Sequence, residues 1–410
     1  MPRSVALVVQ RYGSDLVGGS ETLARAYAER LIGRGFAITV YTTTARDYVT
    51  WRSEYPAGES TENGVRILRF VPERERDLQA FNALAEPMYT RPTTAEDERA
   101  FLEAQGPLTP ALVEALRADL DSYEAVLFLT YLYYPTVEGI GVAGDKAVFI
   151  PTAHDEPPLR FGMFKRVFES VRSYAFCSAP EARLVASRFD LSRCSQDVVG
   201  IGVDPPEPTD VEEYRILRGI ERPYLLYAGR IDAGKGCDEM LRFYERAQAE
   251  IMGCPDLHLI GKLAMELPRI PRLRHLGFVP EADKRAAMAG AEVLICPSPY
   301  ESLSITLLEA MSLGTPVLVS SRSDVLVDHC LKSQAGLVYG DSEEFTETVR
   351  RLVLDEPLRR ALGRNGERYA LTEFSWESVL DRLVRQIDAA AAPTVWSGGA
   401  PGLCPWPGAP

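Results

Sequence analysis

Two carboxylates stand in a segment where carboxylates are costly: residues 297–320, PSPYESLSITLLEAMSLGTPVLVS. Pro297 and Pro299 force a non-helical loop after an apolar run that ends at Cys296. Glu301 closes that loop, and the spacing predicts a helix over 303–313. The first free backbone N–H groups of such a helix come from Ser302, Leu303 and Ser304. With the helix dipole they make a site for an anion or a hydroxyl. Glu309 lies eight residues after Glu301. Within one helix that spacing gives an offset of about 80°, so the two share a direction only if Glu301 stands in the loop. There Glu301 can face a cleft while Glu309 sits one to two turns down the helix. A solvated helix face is the plainer reading of two glutamates. Here the helix is otherwise almost wholly apolar, so a glutamate in it is either costly or used.

A second segment, YLLYAGRIDAGKGCDEML, supplies the opposite charge. A strand runs into Gly229, then Arg230, then Gly234-Lys235-Gly236, and a helix begins. Glycines let a ligand approach the backbone. An Arg and a Lys within six residues, at the C-terminal end of a strand, suit a diphosphate. A basic surface turn is the plainer reading for this segment alone, and the GxxxxGK[ST] phosphate loop is absent. Gly18, Gly19 and Ser20 precede a third helix start, again a place for a phosphate or sugar oxygen or simply a good N-cap. In PTAHDEPP, residues 151–158, His154 follows a predicted strand and precedes two acids and two prolines, as a cleft loop would. Two carboxylates about 10 Å apart with a diphosphate site between them fit a long polar ligand with hydroxyls at both ends. A nucleotide sugar is such a ligand.

Other patterns carry less. Asp119-Leu-Asp121 is formally a DxD metal motif, but it falls at a helix-to-strand turn and reads as turn chemistry. Residues 159–168, LRFGMFKRVF, are basic and apolar; a core-facing helix is favoured over a helix lying on a membrane surface. No GxSxG elbow, HExxH pair or CxxC pair occurs, and no metal site is expected.

The elements that must position these residues alternate. A buried strand at 5–10, a glycine loop, a helix at 21–32 and a strand at 36–43 open a doubly wound sheet. Residues 44–120 are less regular; helical patterns near 78–87 and 94–118 suggest an insertion beside the sheet edge. A Pro-rich acidic stretch, 202–210, is the best linker, and a second alternating series follows it. We therefore expect an α/β chain with an N-terminal domain over 1–203, a second over 204–374, a helix over 375–388 and a disordered tail over 389–410. A length of 410 residues suits two cores, with 46% hydrophobic and 25% charged residues typical of a globular protein. A net charge of −13 argues against a nucleic-acid partner. Seven widely spaced cysteines fit reduced thiols of a cytosolic protein better than a disulfide framework. The N-terminus lacks an apolar stretch long enough for a signal peptide, and no run of about 18 apolar residues spans a bilayer.

Up to about residue 388 the sequence resembles the GT-B retaining glycosyltransferases of family 4 (group 1). The run AGRIDAGKG, then LHLIGK, LGFVP and AEVLICPSPYESLSITLLEAMSLGTPVLVS, is similar to that family's donor-binding domain in order and spacing. Glu301 and Glu309 match its E-x7-E pattern, and FSWESVLDRL resembles its terminal helix. The resemblance implies two Rossmann-like domains facing a central cleft, with the C-terminal helix crossing back to the N-terminal domain. It implies that Gly229, Arg230 and Lys235 hold a donor diphosphate and that Glu301, with Ser302, Leu303 and Ser304, binds the hexose. Glu309 would bind the ribose, Gly18 and Gly19 would lie near the diphosphate or acceptor, and His154 would line the sugar pocket. The catalytic set implied is His154, Arg230, Lys235 and Glu301. The implied reaction moves a hexosyl unit from a UDP- or GDP-sugar to a glycan or lipid-linked glycan, with no cofactor and no metal. Such an acceptor would place a cytoplasmic protein in peripheral contact with the inner membrane face. A small-molecule or natural-product acceptor is one alternative, and a non-catalytic nucleotide-sugar-binding subunit is another. A dehydrogenase is opposed by the absent GxGxxG fingerprint.

Overall fold

A computed structural model describes residues 2–16 and 18–392. They form two compact units: the first takes residues up to Cys177, Ala182–Val199 and the chain from Leu380 on, and the second takes Ser178–Glu181 and Gly200–Val379.

The first unit is built on β1 (Arg3–Val8), β2 (Phe36–Thr43), β3 (Gly58–Glu62), β4 (Val65–Phe70), β5 (Ala125–Leu129), β6 (Ala147–Ile150), β7 (Ser173–Phe176) and β8 (Ser195–Val198). Their order is β3-β4-β2-β1-β5-β6-β7-β8, and only β3 runs antiparallel to its neighbour. Every residue of β5, β6 and β7 is buried, as parallel strands covered on both faces require. Strands β3 and β4 are joined at Asn63-Gly64, both with positive φ, the primed turn that fits the strand twist.

This hairpin changes the reading of 44–120. The region is not only an insertion beside the sheet, because β4 pairs with β2 and extends it. The unbroken polar, exposed sequence of β3 and the two-residue turn hid these strands. The helical pattern expected over 94–118 is two helices, Ala95–Gln105 and Pro110–Asp119. Gly106, with φ of 67°, and Pro107, with no N–H to donate, separate them. Helix Gly162–Ser170 buries Met163, Phe164, Val167 and Phe168 and exposes Arg160 and Lys165 at its start and outer face. The apolar side of 159–168 therefore faces the core.

The second unit holds β9 (Tyr224–Ala228), β10 (Asp256–Ile260), β11 (Leu273–His275), β12 (Val293–Cys296), β13 (Val317–Ser320) and β14 (Gly336–Tyr339), all parallel, in the order β11-β10-β9-β12-β13-β14. The chain winds outward from β9 to β11 and returns to start again at β12. The crevice at the C-terminal ends of β9 and β12 is thus a topological switch point, where open α/β sheets bind ligands. In the first unit the corresponding point lies between β1 and β5.

The last helix spans Trp376–Ala391, three residues beyond the 388 expected. From Leu380 it belongs to the first unit. Leu380, Leu383, Ile387 and Ala390 form its buried stripe. Gln386 accepts from Ser173 Oγ through its backbone oxygen (2.8 Å), and Asp197 accepts from Arg385 (2.9 Å). Residues 393–410 of the expected tail lie outside the described residues. Among the described residues no helix is long and apolar enough to cross a membrane. None of their His, Cys, Asp or Glu side chains form a group of three or more placed to hold a metal ion.

Candidate functional site

Two loops meet at the switch point of the second unit. The first follows β9 and carries Gly229, Arg230 and Lys235. Gly229 N–H donates to the Ile260 carbonyl at 2.9 Å, and the Tyr227 hydroxyl donates to the Arg230 carbonyl at 2.6 Å. Both fix the backbone before the charged residues begin. Asp232 then organises the turn: its Oδ1 accepts the Lys235 N–H at 2.9 Å, and its Oδ2 accepts from Arg230 Nε. Sequence reasoning missed this carboxylate. An Asp three residues before the end of a short turn is the cap signal that would have found it.

The second loop follows β12. Gly236 sits in the left-handed region at φ 73°, and a Cβ there would lie 2.4 Å from the Pro297 carbonyl oxygen. The absence of a side chain lets the two loops touch backbone to backbone. Across that contact Lys235 Nζ donates to Glu301 Oε1 at 2.9 Å. The Glu301 side chain is 18% exposed and that of Lys235 35%.

The helix carrying Glu309 starts later than the spacing predicts. It spans Ile305–Ser312, because Ser304 has φ 65° and stands outside the helical region. Ser302, Leu303 and Ser304 therefore belong to the loop, and the N–H groups at the helix start are those of Ile305, Thr306 and Leu307. Leu303 is buried and anchors the loop. Glu309 does not join the Lys235–Glu301 pair. Its Oε1 accepts from Lys284 Nζ at 2.9 Å, and the same ammonium lies 2.9 Å from Glu281. Burial holds the Glu309 carboxyl above its ordinary value, although Lys284 works against this. Burial would lower Lys284, but Glu309 and Glu281 outweigh it and raise the ammonium. Lys284 was not foreseen; it lies in helix Glu281–Ala289, which reads as an ordinary charged helix.

The other predicted residues lie in the first unit. Gly18 and Gly19 follow the loop after β1 and open helix Gly19–Gly33. Behind them is a buried ion pair that sequence reasoning did not find: Arg11 Nη2 donates to Glu21 Oε1 at 2.7 Å, with side chains only 7% and 4% exposed. Gln10 Nε2 donates to Ser20 Oγ and to Glu21 Oε1, each at 3.1 Å. An Arg at the end of an apolar strand was the available signal. His154 is half-buried in the loop after β6, and its carbonyl accepts the Glu156 N–H at 2.8 Å. Glu156 in turn accepts from the Tyr131 hydroxyl at 2.8 Å, and Asp155 pairs with Arg188.

Residues 211–369 match the family of glycosyl transferases, group 1. An MMP α-(1→4)-mannosyltransferase of Mycolicibacterium hassiacum is 29% identical over 247 residues, which cover 56% of this chain and 57% of that protein. The lipopolysaccharide core biosynthesis glycosyltransferase LpsE of Rhizobium meliloti is 33% identical over 124 residues, 30% of this chain and 36% of that one. The chain thus spans about half the length, or less, of these curated relatives. The structure of HepE from Anabaena, solved with UDP and glucose, superposes with a TM-score of 0.67 over 94% of this chain and all of that one, at 13% identity. The fold is accordingly GT-B, with two Rossmann-like units, and the match to the group 1 glycosyl transferases falls within the second.

Proposed function

We propose that this chain is a retaining glycosyltransferase of family 4. It moves a hexosyl unit from a nucleoside-diphosphate sugar, a UDP- or GDP-sugar, to a hydroxyl of a glycan or lipid-linked glycan. The observation that carries the reading is the Lys235–Glu301 contact at the switch point of the group 1 domain. It sets a phosphate-binding cation beside a carboxylate suited to sugar hydroxyls. In this reading Arg230, Lys235 and the Gly229 backbone hold the diphosphate. Glu301 and the Ser302–Leu303–Ser304 loop hold the hexose, and Glu309 holds the ribose.

In the reaction the bond from the sugar C1 to the diphosphate oxygen breaks, and a bond from C1 to the acceptor oxygen forms. The departing phosphate oxygen takes the acceptor's proton, so no enzymic nucleophile is needed. Arg230, Lys235 and the N–H groups at a helix start supply positive charge to the leaving group without calling on a metal or a cofactor. The lipopolysaccharide role of one relative and the UDP and glucose held by HepE support the acceptor and donor classes. A lipid-linked acceptor would bring a cytoplasmic protein to the inner membrane face. A non-catalytic binding subunit would have no need of all these charged groups.

The test is nucleotide release from a panel of UDP-, GDP- and dTDP-sugars, with and without acceptor. We expect Lys235→Ala and Glu309→Ala each to cut turnover of the accepted donor roughly a hundredfold or more. Near-normal turnover by both variants refutes the site.

A further inference from the structure

The cations of the second-unit site are already occupied. Arg230 is held by Asp232, Lys235 by Glu301 and Lys284 by Glu309. Two of these carboxylates are fixed in position by their own backbone elements. Asp232 also caps its own turn, and Glu309 is fixed on a helix. Glu301 differs. It stands in the loop that precedes helix Ile305–Ser312, and it reaches Lys235 across two loops that are otherwise joined through backbone contact at Gly236 and Pro297.

We propose that Glu301 is a tethered competitor for the phosphate position on Lys235, and that this lets the site discriminate a nucleotide sugar from the nucleoside diphosphate left after transfer. The proposal rests on the donor reading above. A largely buried carboxylate needs a counter-charge or hydrogen-bond donors. Without ligand, Lys235 satisfies Glu301. A diphosphate binds an ammonium through stronger, charge-assisted bonds and draws it away. Glu301 then faces an anion with no partner of its own, and the two charges repel in a site of reduced dielectric. A donor that carries its sugar repairs this, because the hexose hydroxyls donate to the freed carboxylate. A nucleoside diphosphate carries no such donors, so Glu301 returns to Lys235 and helps expel it. Tethering makes this return efficient, since the competitor is present at a high effective concentration.

The signature is a pair of effects of opposite sign. In Glu301→Gln the neutral amide no longer competes for Lys235 and binds hydroxyls less well. By isothermal titration calorimetry on the full chain we expect UDP or GDP to bind about tenfold tighter than to the wild type. UDP-glucose or GDP-mannose, whichever the wild type accepts, should bind about tenfold weaker. Tightened binding of the diphosphate itself certifies that the variant is folded. Glu309→Gln, which leaves the Lys235 pair intact, should not tighten the diphosphate. Lys235→Met should weaken both ligands together. The competitor role is overturned if Glu301→Gln weakens both ligands or leaves the diphosphate unchanged while the wild type binds the nucleotide sugar. If the wild type binds none of the four ligands, the donor reading itself falls and takes the competitor role with it.

Discussion

Replacing Lys284 by methionine leaves Glu309 without its partner at 2.9 Å. Methionine keeps most of the volume and removes the charge. Removing one member of a fully buried pair costs about 3–5 kcal/mol. The two side chains here are 24% and 29% exposed, so solvent takes up part of the loss, and about 2 kcal/mol is the reasonable scale. For a unit of this size that is a fall in Tm of roughly 4–8 °C. The sign with pH follows from Glu309. Burial already raises its carboxyl, and loss of Lys284 raises it further. The folded state then holds its proton more tightly than the unfolded chain does. The penalty is therefore absent below about pH 4.3, the ordinary Glu value, and grows as pH rises through the folded value. The Lys284 contribution itself fades only as pH rises through the ammonium's raised value, above its ordinary 10.5, and so does not enter this window. Thermal melts at pH 5 and pH 8 read the effect directly: Lys284→Met should be closer to wild type at pH 5, and Lys284→Met/Glu309→Gln should recover most of the loss at pH 8. A variant as stable as wild type at pH 8, or one that Glu309→Gln fails to rescue, refutes the account.

Two further outcomes follow from backbone and burial. Gly236→Ala places a side chain in the left-handed region and 2.4 Å from a carbonyl oxygen; we expect a loss of about 2–4 kcal/mol in urea unfolding together with weaker nucleotide binding, and wild-type values for both would show that the loop contact is dispensable. His258 is buried, stacks on Tyr224 at 4.5 Å and has neither ring nitrogen hydrogen-bonded among the described residues; its pKa is pushed down to about 4 by burial, with Arg274 adding to it. The unfolded chain binds that proton more readily, so stability is lost as pH falls from 6.5 towards 4. His258→Phe should flatten the slope by up to about 1.4 kcal/mol per pH unit. Since buried His329 has the same sign, some slope should remain, and an unchanged slope would sink the assignment to His258.

The legible parts of this chain are those where one physical demand dictates residue type over several positions. Buried parallel strands such as β5 and β9 need unbroken apolar runs, and the helix Trp376–Ala391 shows its stripe at helical spacing. The Pro297–Pro299 loop is legible for the same reason, because proline excludes the helix. What escaped depends on pairing across long sequence separation. Nothing near β3 announces that β4 will join β2, since an edge strand may be polar on every face. The helix start at 303 was misplaced by two residues because Ser304 takes a left-handed conformation that its type does not advertise. Lys284 and Arg11 were invisible because a partner 25 or 10 positions away gives a charge its meaning. Glu301 and Lys235 stood out by type and by the loops they end, whereas Glu309 as one half of an ion pair with Lys284 did not.

The last helix has a consequence for how the chain is made. The second unit is nearly continuous in sequence, whereas the first needs residues from Leu380 on to cover Ser173 and to reach Asp197 and Arg3. During synthesis the amino-terminal sheet emerges first but stays one wall short while some 180 further residues are added. The second unit can finish first, although it begins later. The order of emergence and the order of completion are thus reversed. Through that interval Ser173 of β7 and Asp197 of β8 still await Gln386 and Arg385, and the unfinished edge of the sheet is left open to wrong partners.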